Sequence, residues 1–196
     1  GMISDWALLG SAAGLYVNYY GPGTMTARLD DGSDWTIVQK TNYPADGKID
    51  FALRIAKPTP MPLMLRIPAW SENTALYVNR EAVEGVKPGT YFTLDREWRS
   101  NDQIQLILDM RPRALRGDEN VQFNASLYAG PLLLAFDQKQ NALDPGQVPA
   151  IDFKNLELVP AATDAQFQPI VLYRVAAADG QEIFLTDFAT AGASGA

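Results

Sequence analysis

The sequence predicts an all-β chain: an antiparallel β-sandwich in two packed sandwich units. Three observations carry this. No segment shows a helical stripe of any length. About a dozen short runs rich in β-branched and aromatic residues follow one another closely. Glycine, proline and Asp-Gly turns separate them.

Taken in order, Met2 to Ala13 is weakly patterned and reads as a linker or N-terminal extension. Leu15 to Tyr20 is the first strand-like run, and Gly21-Pro22-Gly23 ends it. Thr24 to Leu29 and Trp35 to Thr41 flank Asp30-Asp31-Gly32-Ser33-Asp34, a hairpin signal. After the turn at Asn42-Tyr43-Pro44, Ile49 to Ile55 alternates apolar and polar residues, the mark of a half-buried strand. Prolines at 58, 60 and 62 read as an extended connection into the strand Leu63 to Ile67. That strand stops at Pro68 and presents Trp70. Further strands are Ala75 to Asn79, Tyr91 to Leu94 and Gln103 to Leu108.

A boundary between the units falls near Arg113 to Asn120. This gives a first unit over 14–113 and a second over 114–196. In the second, Val121 to Ala129 and Pro131 to Phe136 are strands, and 137–169 is a long loop with one strand at Leu156 to Val159. Ile170 to Ala176 and Glu182 to Phe188 form a hairpin about Asp179-Gly180.

Composition excludes several chemistries. The chain has no cysteine and no histidine, which removes disulfides, thiolate and imidazole metal ligands, a cysteine nucleophile and any Ser-His-Asp triad. The net charge of -7, with no Lys/Arg cluster, argues against nucleic acid as a partner. No apolar run approaches membrane-helix length, and no membrane or cofactor is expected. No basic and apolar leader is visible at the N-terminus.

Local constellations yield no catalytic set. Asp30, Asp31 and Asp34 surround a glycine, but their spacing does not match a calcium loop, and a hairpin turn accounts for them. Asp95 and Glu97 share a strand face without a visible apolar pocket, as surface charges do. Neither a catalytic nor a metal-binding residue is assigned. The aromatics Tyr16, Tyr19, Tyr20, Trp35, Tyr43, Trp70, Tyr77, Tyr91 and Trp98 suit either core packing or stacking on sugars.

Several words occur in a fixed order. They are Gly14-Leu15-Tyr16-Val17-Asn18, Asn42-Tyr43-Pro44, Leu65-Arg66-Ile67-Pro68-Ala69-Trp70 and Val78-Asn79. Gly89-Thr90-Tyr91-Phe92, Arg96-Glu97-Trp98, Gly130-Pro131-Leu132 and Leu185-Thr186-Asp187-Phe188 follow. In these words the chain resembles the β-sandwich region of the β-L-arabinofuranosidase-like proteins of glycoside hydrolase family 127. Three places depart from the family habit: Asn79-Arg80 stands where Asn-Gly is common, Asn101-Asp102 where Gly-Asp is common, and Ala45 where an aromatic commonly follows Tyr-Pro.

The resemblance implies that activity belongs to an α/α barrel with a glutamate and zinc-bound cysteines, none of which this chain matches. The chain alone is therefore expected to be non-catalytic, with the barrel, in the same or a separate chain, as its partner. Tyr43, Arg66, Trp70 and Trp98 are the expected ligand-binding or domain-interface residues. The alternative is a carbohydrate-binding module that recognises plant-type polysaccharide through exposed aromatics.

Overall fold

The structure is a computed structural model. It describes residues 6–117, 125–141, 143–152, 155–163 and 168–192. The chain divides into two compact units, Gly1–Met110 and Arg111–Ala196.

The described residues of the first unit form ten strands. They are β1 (Leu8–Ser11), β2 (Gly14–Val17), β3 (Gly23–Arg28), β4 (Asp34–Thr41), β5 (Lys48–Ile55), β6 (Thr59–Ile67), β7 (Ala75–Val78), β8 (Glu81–Ala82), β9 (Thr90–Trp98) and β10 (Gln103–Ile107). They form a four-stranded sheet, β1-β2-β6-β9, and a six-stranded sheet, β3-β4-β5-β10-β7-β8. All pairings are antiparallel except β2 with β6, where Leu15, Tyr16 and Val17 run parallel to Leu63, Met64 and Leu65.

Alternation builds the core. Leu15 and Val17 of β2, with Leu63, Leu65 and Ile67 of β6, share one buried cluster with Trp35, Ile37, Ile49, Phe51, Leu53, Ile104 and Leu106 from the other sheet. Each such side chain contributes roughly 1.5–3 kcal/mol when withdrawn from water. Two close backbone approaches fix the spacing of strands. At Gly14 (φ 129°) an added Cβ would stand 2.2 Å from the Pro62 carbonyl oxygen, and at Gly47 one would stand 2.3 Å from that of Leu108.

The proline-rich stretch is strand rather than connection. Thr59 to Pro62 pair with Trp98 to Asp95 of β9, while β2 reaches only Leu63 to Leu65 on the other side. Pro60 and Pro62 therefore occupy ladder positions with one flank unpaired, where a missing N–H is tolerated. β9 likewise runs on through Asp95-Arg96-Glu97, because an edge strand can carry charges into solvent. The expected linker also holds a strand, since Leu8 to Ser11 pair with Val17 to Gly14.

The second unit contains β11 (Pro112–Arg116), β12 (Ala125–Ala129), β13 (Leu132–Phe136), a one-turn helix α1 (Gln138–Asn141), β14 (Val159–Pro160), β15 (Leu172–Ala176) and β16 (Glu182–Asp187). The strand order is β11-β12-β13-β16-β15-β14. The division lies ahead of the expected boundary because Pro112 to Arg116 pair with Ala129 to Ala125. In the expected strand Val121 to Ala129, residues 121–124 lie outside the described residues. The expected strand at Leu156 to Val159 is displaced to Val159–Pro160.

Leu127, Leu134, Val175, Ile183 and Leu185 centre the second unit's core. Beside it lies Asp187, fully buried. Its carboxylate accepts from the Ile170 N–H at 2.8 Å and the Thr190 N–H at 3.0 Å, and also from the Thr190 hydroxyl. One side chain thus ties the entry to β15 to the segment that follows β16.

Candidate functional site

The outer face of the four-stranded sheet carries the candidate site. Because Leu63, Leu65 and Ile67 point inward, Met64 and Arg66 point outward, and Tyr16 does the same between Leu15 and Val17. The register sets Leu9, Tyr16, Met64 and Thr93 in one row across β1, β2, β6 and β9. Arg66 and Tyr91 form the next cross-strand pair. Met64 is only 4% exposed although it lies outside the core cluster. Leu9 is 44% exposed and Tyr91 46%, so apolar surface on this face remains open to solvent.

The tyrosines are held in place. Tyr16 and Tyr91 meet edge to face, with centroids 5.3 Å apart. The Tyr91 hydroxyl donates to Asn18 Oδ1, and Asn18 Nδ2 donates to the Trp6 carbonyl at 2.9 Å. Asn18 therefore anchors both a face tyrosine and the chain entering β1.

Arg66 joins a second aromatic group. The Tyr20 hydroxyl donates to the Arg66 carbonyl, and the Tyr20 ring meets Tyr43 at 6.2 Å and the core ring of Phe51 at 6.0 Å, both edge to face. Burial pushes the Tyr20 phenol well above its usual range, and the Arg66 charge offsets part of that rise. The Tyr43 phenol is raised for the same reason, again opposed by Arg66.

Of the four expected residues, Tyr43 and Arg66 come together, with Tyr20 between them. Trp70 is half-buried against the core in the turn after β6. Ser71 pins that turn, since its buried hydroxyl accepts from the Asp109 N–H at 2.8 Å. Trp98 does not belong to any exposed surface. It is fully buried, its Nε1–H donates to the Met61 carbonyl at 2.8 Å, and the Arg96 guanidinium lies 5.1 Å from its ring centroid. Trp98 is a core residue because its position in β9 points inward with Leu94. Tyr16 and Tyr91 take its place, and strand alternation against Leu15 and Leu94 is the signal that finds them.

The acidic groups are engaged elsewhere. Hydrogen bonds from the Ser33 hydroxyl and N–H, then Lys57, hold the Asp31 carboxyl at about 2, so the 30–34 turn uses it structurally. Glu97 is exposed and pairs with Arg99 at 3.2 Å. Among the described residues no group of three or more metal-ligating side chains occurs.

Comparison with known proteins agrees with this architecture. Residues 14–110 match the family model described as beta-L-arabinofuranosidase, GH127 middle domain. Among solved structures the chain is similar to a glycoside hydrolase, with TM-score 0.82 and 25% identity over 95% of this chain and 35% of that one. It is also similar to a GH127 beta-L-arabinofuranosidase from Geobacillus stearothermophilus T6, with TM-score 0.75 and 22% identity over 87% of this chain and 27% of that one. A third, a GH127 beta-arabinofuranosidase, gives TM-score 0.72 and 18% identity over 89% and 32%. The chain thus spans about a third of the length of these relatives. No curated protein matches it. The chain resembles the β-sandwich region of family 127 glycoside hydrolases.

Proposed function

We propose that this chain is the non-catalytic accessory region of a family 127-like glycoside hydrolase, and that it supports an α/α barrel through the outer face of its four-stranded sheet. The observation that carries the reading is that face. It exposes Leu9 and Tyr91, buries Met64 outside the core, and sets Arg66 beside the tyrosines. Tyrosine and arginine around an apolar centre are the composition of an interface core. The length relation supports the same reading, since the relatives' chains extend well beyond the matched region. The role is mechanical: a rigid sheet presents pre-ordered rings, so little side-chain entropy is lost on docking.

The test begins with the coding sequence around this chain and proceeds to the longer product. An adjoining α/α barrel is expected. In that product, Tyr91→Ala and Arg66→Glu should lower the barrel's thermal midpoint, and by more than they lower that of the isolated sandwich chain, where Tyr91→Ala removes the contacts with Tyr16 and Asn18. A barrel unmoved by either change would overturn the assignment of this face. Turnover of an aryl arabinofuranoside by the 196-residue chain alone would overturn the non-catalytic role.

A further inference from the structure

The outer face of the six-stranded sheet holds a cavity of about 540 Å³, within the size range of small-molecule sites. Strand register builds it. Phe51, Ile104 and Val78 are paired across β5, β10 and β7 and point into the core. The neighbouring row, Lys40, Asp50, Gln105 and Tyr77, therefore crosses four strands on the outside. At the usual strand spacing this row is roughly 14 Å long. Beside it Val38, Ala52 and Gln103 form a second row, and the short side chains of the first two leave a hollow. Arg80, from the turn between β7 and β8, lines the same cavity.

The polar groups around the hollow differ in their commitments. Asp50 is already engaged, with Gln105 Nε2 at 2.7 Å and Lys48 Nζ at 3.3 Å. Lys40 and Arg80 have no hydrogen bond or ion pair among the described residues. Two uncommitted cations thus line one cavity in a chain of net charge -7. Arg80 is also at an unusual backbone position. Asn79 and Arg80 have φ of 51° and 72°, the two-residue hairpin geometry that favours glycine at its second place. An arginine held there sets a long cation at the rim of the cavity, and local strain of this kind marks functional positions.

We infer that this hollow binds an acidic oligosaccharide, with Arg80 taking one uronate carboxylate and Lys40, at the other end of the row, taking another. Guanidinium and carboxylate match in a two-point contact. Tyr77 supplies a ring for the sugar's apolar face, and the amides of Gln103 and Gln105 serve its hydroxyls. The site lies on the opposite sheet from the proposed docking face and does not depend on that role.

Calorimetric titration of the full chain tests this with oligogalacturonate and oligoglucuronate, neutral arabino-oligosaccharides, and citrate as a non-sugar polycarboxylate. Saturable heat with a uronate oligomer alone is expected, weakening as salt rises. Arg80→Gly should lower affinity at least about tenfold while raising Tm by roughly 4 °C, because glycine relaxes the turn. Lys40→Gln should weaken binding with Tm unchanged. No saturable heat with either uronate would overturn the inference. So would neutral sugars or citrate binding as tightly, or affinity unchanged in both variants.

Discussion

Replacing Gly14 with alanine tests the closest backbone approach in the first unit. The new Cβ would stand 2.2 Å from the Pro62 oxygen and 3.1 Å from the Pro62 carbonyl carbon. Carbon–oxygen contacts settle near 3.3 Å, so one strand must retreat by roughly 1 Å. The oxygen belongs to backbone and cannot rotate away. The residue also sits at φ 129°, which an L side chain occupies at a cost of about 1–3 kcal/mol. Overpacking adds about 1–3 kcal/mol, for a total of about 2–6 kcal/mol.

Urea unfolding followed by tryptophan emission measures this loss. All four tryptophans, at 6, 35, 70 and 98, lie in the first unit, so the signal reports that unit. With a slope of about 1–3 kcal/mol per molar urea, the midpoint should fall by at least roughly 0.7 M. Gly32→Ala is the control, since its φ of 79° carries strain but no atom lies within 4 Å of the new Cβ. If the two variants lose the same stability, the contact with Pro62 contributes nothing and the reasoning fails.

Trp98→Ala should cost about 3–5 kcal/mol, as the loss of a fully buried indole does. Trp98→Phe should cost less, with about 1 kcal/mol of its effect from the lost bond to the Met61 carbonyl; equal losses in chemical denaturation would refute the core assignment. Tyr20 links stability to alkaline pH. Its folded pKa lies above the ordinary value of 10.0, so its contribution is full below pH 10 and declines as pH rises further. The decline approaches about 1.4 kcal/mol per pH unit. Tyr20→Phe should flatten that alkaline limb in pH-dependent denaturation, and an unchanged limb would rule Tyr20 out as its source. Asp187→Ala should destabilise the second unit by about 2–4 kcal/mol, because it strips the side-chain acceptor from the Ile170 N–H, whereas the Thr190 N–H keeps the backbone carbonyl of residue 187; intact hydrogen-exchange protection at the Ile170 amide would contradict this.

Much of the fold is legible in the sequence because strand alternation is local. Ile49 to Ile55 shows its buried side without help from any neighbour. The ordered words read as structural necessities once placed. Gly14 lets β2 approach Pro62, Asn18 ties Tyr91 to the Trp6 carbonyl, and Asp187 gathers donors from Ile170, Val171 and Thr190. The departures at Arg80 and Asn101 also read cleanly, for both residues hold a positive φ, of 72° and 73°, where glycine is the easier choice.

What escapes the sequence is what depends on a partner strand. Pro60 and Pro62 look like breakers until their unpaired flank is known, and charges at 95–97 look like a strand's end until β9 proves to be an edge. The candidate site fails at Trp98 for a related reason. An inward and an outward ring are the same residue type, and only register separates Trp98 from Tyr91.

The parallel pairing of β2 with β6 has a consequence for the order of assembly. A hairpin cannot deliver two strands in the same direction, so the chain must leave β2 and come back. Between the two it lays down β3, β4 and β5, all members of the opposite sheet. The N-terminal ribbon therefore has no lateral partner beyond itself until the three-stranded meander exists and β6 has been made. Distant pairings of this kind form late, because a long segment must be closed before any contact rewards it. In refolding, the amides of Leu15 and Val17 should gain protection after those of Ile37 and Leu53. During synthesis, the earliest strands of this protein would be locked only after β3, β4, β5 and β6 had all emerged.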